Sequence, residues 1–374
     1  MKILLAGPRL CSPWTEGRKR LARDLAGALA ADHAVRVVTT VDPGETTGFP
    51  VPCRGRPASG PVSHFRSLHA GLGEELDEWR PELVCHLPIG SFHGMYGYGN
   101  LASMWLAERQ CARRSAPCFT LMYAIAREAS VERLSRCVSH LLVHPSLGQG
   151  VPIRFGTALP EPQEIPAPGD GRSLLFMAGT TQPTRERLDH VLNLRGLATL
   201  LRAGRTLAPD GFRLTIAVPL LAHMRLREAL RKLPGNNWPE SALHILDTIT
   251  VPEVFAGHDL FVFPYARDET QFVPTSVIEA MHFGLATVLP RLPFLLPIIG
   301  EGAHAFAFEA NDAEDLARAV RAAASDTARR AAVRDSALAM VRREFAIRGT
   351  CEDLLRYYRE RIAGAAGRSA HTHP

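Results

Sequence analysis

Seven cysteines serve a chain of 374 residues, and no two of them form a C-x-x-C pair. Cys11, Cys53, Cys85, Cys111, Cys118, Cys137 and Cys351 are odd in number, and most sit beside apolar residues. A disulfide framework or a zinc site is therefore not expected; reduced thiols of a cytoplasmic protein are. No run approaches the roughly 18 apolar residues of a membrane span. The opening MKILLAG is too short for a signal-peptide core and lacks a cleavage pattern. A cytoplasmic location is expected, with peripheral membrane contact compatible. No cluster of ligating side chains has metal spacing. A large excess of charge of one sign is also lacking, with 43 Lys and Arg against 38 Asp and Glu. A net charge of +5 and a pI near 8.9 are mildly basic, without the concentrated charge of a nucleic-acid binder. That balance suits a small anionic ligand or a membrane surface. No close repeat links the two halves.

What is present is a strand–helix rhythm. KILLAGP is a continuous apolar run, the pattern of a parallel strand covered on both faces. TEGRKRLARDLAGALAADH follows with Leu21, Leu25 and Leu29 at helical spacing and Thr15 as N-cap; AVRVVTT is the next strand. Further strands are expected at 82–89, 118–125 and 140–146, with a helix at 100–114 and a glycine- and aromatic-rich loop, GSFHGMYGYGN, at 90–100. Residues 159–173, LPEPQEIPAPGDGRS, read as a linker. The rhythm then restarts, with strands at 173–179, 212–219, 242–247, 259–265 and 286–290. Helices are expected at 194–208, 220–233, 274–284, 312–325, 327–345 and near 348–362, before a tail, GRSAHTHP, without periodicity. The fold class is α/β: two doubly wound, Rossmann-like domains, at 1–162 and 170–346, facing a central cleft, with 347–374 as a C-terminal helix and tail.

QFVPTSVIEAMHFG (271–284) sets a single glutamate, Glu279, between apolar pairs. Pro274 suits a first helical turn, because its missing N–H costs nothing there. The N–H groups of Thr275 and Ser276 would then form an anion site at the positive end of the helix. This segment, with the preceding DLFVFPY and the following LATVLP, resembles the nucleotide-sugar-binding segment of GT-B glycosyltransferases, specifically the retaining family 4. The resemblance implies that Thr275 and Ser276 bind a diphosphate and that Glu279 accepts from ribose hydroxyls. The family's second glutamate falls at Gln271, with Asp268 and Glu269 as nearby alternatives.

In the family an arginine, and later a lysine before a glycine, hold the leaving diphosphate. Here Arg195-Gly196 stands at the lysine-glycine place, Thr180 stands at the arginine place beside Gly179, and Arg185 or Arg187 fills the charge role. SPWTEGRKRLARDLAGAL resembles the family's glycine-containing loop and first helix, with Gly17 letting the backbone approach a ligand. The family's donor-contacting histidine has no match; Tyr123 stands in that stretch.

The implied activity is transfer of a sugar from a nucleotide diphosphate donor to a hydroxylated small-molecule, saccharide or lipid acceptor, with retention, no cofactor and no metal. The resemblance assigns the acceptor to the first domain, the donor to the second, and the last helix to a segment crossing back onto the first. Two other readings stand beside it: a degenerate, non-catalytic auxiliary subunit, and a sugar-nucleotide epimerase. The blander residue readings make Glu279 a surface helix residue and Arg195 a solvated helix-start arginine. They make RKRLAR (18–23) a solvated face rather than a phospholipid patch, and His86 and His93 core or loop histidines.

Overall fold

In a computed structural model the chain is described over residues 1–11, 14, 17–42, 47–88, 94–122, 138–143, 151–159, 169–178, 188–219, 224–233, 235–246, 253–267 and 273–369. Two compact units emerge, one of residues 1–158 with 344–374, the other of 159–343.

The first unit holds strands β1 (Lys2–Gly7), β2 (Ala34–Val41), β3 (Cys53–Pro57), β4 (Leu83–His86), β5 (Cys118–Leu121), β6 (Leu141–Val143) and β7 (Val151–Pro152). They form one parallel sheet in the order β3-β2-β1-β4-β5-β6-β7. Helices α1 (Gly17–Leu29), α2 (Pro61–Glu78) and α3 (Gly94–Ala112) cover it. β1 is apolar on both faces because both are covered: Ile3, Leu4, Leu5 and Ala6 are fully buried. Leu4, Ala6 and Val84 pack on Leu68 and Leu72 of α2 and on Ala107 and Cys111 of α3.

β3 was not legible in the hydrophobic pattern, and α2 went unassigned although its Leu68, Leu72 and Leu76 recur at helical spacing. β3 reads CRGRP, a half-exposed edge with no apolar run. Its arginines join it to α2 instead. Arg54 reaches Glu74 (2.6 Å) and Glu78 (2.8 Å), and Arg56 reaches Glu74 (2.6 Å). The expected loop at 90–100 is also corrected. α3 begins at Gly94, so the glycines and aromatics after it lie on a helix.

The second unit holds β8 (Ser173–Met177), β9 (Arg213–Ala217), β10 (Leu243–Leu246), β11 (Leu260–Val262), β12 (Ala286–Pro290) and β13 (Phe306–Phe308). Their parallel order is β10-β9-β8-β11-β12-β13. The helices are α4 (Leu197–Leu207), α5 (Met224–Arg231), α6 (Glu253–Ala256), α7 (Thr275–His282), α8 (Leu296–Ile299) and α9 (Ala313–Ser325). The helix expected from 194 starts later: a π-helical turn, His190–Leu194, precedes Arg195, and Gly196 caps α4 in the left-handed region (φ 72°). α10 (Thr327–Glu344) follows, and α11 (Ile347–Ser369) belongs to the first unit. α11 runs beyond its expected end into the tail. Asp353 ties it to the sheet edge through Arg154 Nε (2.8 Å) and Nη2 (3.0 Å).

Each sheet therefore reverses its winding once, between β1 and β4 in the first unit and between β8 and β11 in the second. Ligands of open α/β sheets bind outside the carboxyl ends of the strands at such a reversal.

Candidate functional site

At the reversal of the second sheet, two segments some seventy residues apart meet. Ala266 N–H donates to the Leu194 carbonyl (2.9 Å). A Cβ on Gly196 would stand 1.6 Å from the Pro264 carbonyl oxygen, so only glycine fits there, and its positive φ makes the same demand. Arg195 is fixed between these contacts. Its guanidinium carbon lies 5.1 Å from the centroid of the Tyr265 ring. Its Nε donates to His190 Nε2 (3.4 Å). Among the described residues its two Nη groups meet no hydrogen-bond partner and Arg195 has no ion pair, although it is only partly exposed. The solvated-arginine reading is thus corrected: Arg195 is stacked and oriented, with four N–H donors unspent.

Tyr265 is itself fully buried at the end of a stack along β11, 5.2 Å from Phe263, with Phe294 edge-on at 5.8 Å. His190 and Tyr265 were missed in the sequence. The π turn that sets residue 190 beside residue 195 leaves no mark in a 3.6-residue period. A cavity of about 600 Å³ lies against this corner, with Asp189, His190, Asn193, Arg267 and Asn311 in its wall.

α7 joins β11 to β12, so its N-terminus lies at the same carboxyl edge. Pro274 is the N-cap (ψ 137°), one position before the first turn where it was expected. Its carbonyl accepts from Val277 (2.9 Å) and Ile278 (3.3 Å). The N–H groups of Thr275 and Ser276 meet no acceptor among the described residues, and both residues are partly exposed. Two unpaired donors at a helix start attract an anion. Glu279 is 4 % exposed, so the surface-residue reading fails. A buried carboxylate needs partners, and Glu279 has one within the protein.

Gly17 is the first residue of α1, partly exposed. The basic run after it is the solvated face expected only in part: Arg23 is exposed and Lys19 and Arg20 are partly so, but Arg18 is not. Arg18 is 5 % exposed and donates to the carbonyls of Pro8 (3.0 Å) and Leu87 (3.2 Å), crossing the reversal of the first sheet. Arg20 pairs with Asp24 (3.6 Å), and Arg23 lies over Trp14 (5.4 Å). His86 is a core histidine, fully buried, and neither ring nitrogen has a hydrogen-bond partner among the described residues. Burial, with His69 and Arg18 nearby, pushes its pKa down to about 3, so it is neutral.

Thr15, His93, Tyr123, Gly179, Thr180, Arg185, Arg187, Asp268, Glu269, Gln271 and most of the 159–173 linker lie outside the described residues, as does Cys137. The other six cysteines form no disulfide among the described residues, and burial raises the thiol pKa of Cys53 to about 11. Among the described residues no group of side chains could hold a metal ion, and no helix is long and apolar enough to cross a membrane.

Residues 186–326, which include Arg195, Pro264 and α7, match the family Glycosyl transferases group 1. The second unit carries a glycosyltransferase domain. The whole chain is similar to solved glycosyltransferase structures. HepE of Anabaena, in complex with UDP, is 14% identical with a TM-score of 0.67, over 98% of this chain and 100% of that one. Sucrose-phosphate synthase of Thermosynechococcus elongatus is 15% identical with a TM-score of 0.68, over 97% and 100%. A glycosyltransferase of Rickettsia africae is 15% identical with a TM-score of 0.69, over 96% and 98%. No curated protein sequence matches. The fold of the chain is thus GT-B, as the resemblance of 259–290 implies.

Proposed function

We propose that the chain transfers a sugar from a nucleoside diphosphate sugar to a hydroxyl acceptor, with retention at the anomeric carbon. One observation carries this reading: a half-buried arginine, with no ion pair and no partner for its Nη groups among the described residues, shares the carboxyl edge of one sheet with a helix start whose first donors are unpaired among the same residues. Breaking the glycosidic bond leaves negative charge on the diphosphate, and oriented donors stabilise that charge as it develops. Arg195 offers a fork to two phosphate oxygens. Thr275 and Ser276 offer N–H and hydroxyl donors. In this reading Arg187, or Arg185, adds a second cation, Thr180 and Gln271 contact the donor, and Gly17 leaves room beside it. Glu279 accepts from the ribose hydroxyls. With this charge met by protein cations, the reaction needs no metal and no cofactor.

The first unit takes the acceptor. HepE structures hold UDP and UDP-glucose, which makes a uridine donor the first to try. Incubating the protein with a panel of nucleotide sugars and hydroxylated acceptors should release nucleoside diphosphate and give a product of unchanged anomeric configuration by NMR. Inverted product would overturn retention. Nucleotide release at the buffer rate with every pair would overturn the activity.

A further inference from the structure

We infer that His190 is a positioning residue that holds the Arg195 guanidinium in its phosphate-facing orientation; this rests on Arg195 being a diphosphate ligand. A free arginine side chain samples many rotamers, and ordering it costs affinity. Here three features remove that cost in advance. The Tyr265 ring supports one face of the guanidinium at 5.1 Å. The clamp between Leu194, Gly196 and Pro264 fixes the backbone. Neither sets the rotation of the guanidinium in its own plane. His190 does, because Nε2 accepts the Nε proton at 3.4 Å and so fixes the direction in which the Nη1–Nη2 edge points.

The π turn is the device that makes the contact. Arg195 N–H bonds to the His190 carbonyl (2.9 Å), an i to i+5 closure that sets the two side chains side by side. The accepting nitrogen must be unprotonated, with any ring proton on Nδ1. The same wall of the cavity carries Asp189, which takes the Asn193 amide (2.6 Å). Removing the imidazole opens room beside the guanidinium and leaves it a carboxylate to turn to. Loss of His190 therefore weakens diphosphate binding without removing any atom that touches the ligand.

Titration calorimetry on the full chain with UDP, GDP, ADP and dTDP, and with the matching monophosphates, tests this. Arg195→Ala should weaken the best-bound diphosphate about tenfold, as loss of a charge-assisted fork implies. His190→Ala should weaken it about fivefold or more and lower the diphosphate-to-monophosphate affinity ratio by a similar factor. His190→Gln, whose amide oxygen restores an acceptor, should return that ratio to within about twofold of wild type. If Arg195→Ala weakens diphosphate binding but His190→Ala matches wild type, positioning is wrong and the site stands. A His190→Gln no better than His190→Ala also counts against positioning. So does equal loss for mono- and diphosphates, the sign of general damage to the fold. If wild type binds none of the four diphosphates, or Arg195→Ala binds them unchanged, the diphosphate reading itself falls.

Discussion

At Gly196 a single hydrogen atom decides whether two motif segments can meet. Any side chain there needs a left-handed backbone and overlaps the Pro264 carbonyl at 1.6 Å. Gly196→Ala should destabilise the protein by about 3 kcal/mol or more in urea unfolding and abolish nucleotide binding, because Pro264 must retreat. A change below about 1 kcal/mol would show that the segments are not locked together. His86 makes the opposite kind of prediction. Its ring occupies a core position where two polar atoms go unpaired. His86→Leu should be neutral or stabilising by about 1 kcal/mol at pH 8, since apolar packing replaces unpaired groups.

The pH dependence follows from the same residue. The folded-state pKa is pushed below the ordinary 6.5, to about 3, so on acidification the unfolded chain takes up a proton that the folded one refuses. The stability that neutral His86 contributes is present above pH 6.5 and is lost as pH falls toward 3. The wild type should lose about 1 kcal/mol more per pH unit in that window than His86→Leu. Parallel curves would contradict the burial.

At the scale of elements, α9 shows how a local signal is read directly. Asp312 accepts from the N–H groups of Glu314 (2.9 Å) and Asp315 (2.9 Å), ahead of an amphipathic run. Asp312→Ala should cost about 1 kcal/mol in thermal or urea unfolding. An unchanged midpoint would show that tertiary packing alone holds the helix start. Elements like this were legible because pattern and packing agree: KILLAG and ATVLP are apolar on both faces and lie in sheets covered on both faces. β3 was not, because ion pairs from Arg54 and Arg56 to Glu74 and Glu78 do the joining that apolar residues do elsewhere; α2 does carry the pattern, with Leu68, Leu72 and Leu76 at helical spacing packed into the core. The site divided in the same way. Arg195, Gly196, Pro264 and the start of α7 carry recognisable residue types in order along the chain. His190 and Tyr265 join them only through a π turn and a stack of rings, which are properties of the folded state.

For the whole molecule, two parallel sheets each reverse once, and the two reversals are used differently. In the first unit Arg18 spans the strand ends by bonding two main-chain carbonyls, so its charge is spent internally. In the second unit Arg195 stands at the matching place with its Nη groups unspent. The fold supplies the same corner twice, and the proposed function assigns the anion to the second of them. A crystal structure of the protein with a bound nucleoside diphosphate tests that assignment most directly. The account predicts phosphate oxygens about 3 Å from the Arg195 Nη atoms and from the N–H groups of Thr275 and Ser276. A diphosphate seated elsewhere, with Arg195 still facing an empty corner, would contradict it.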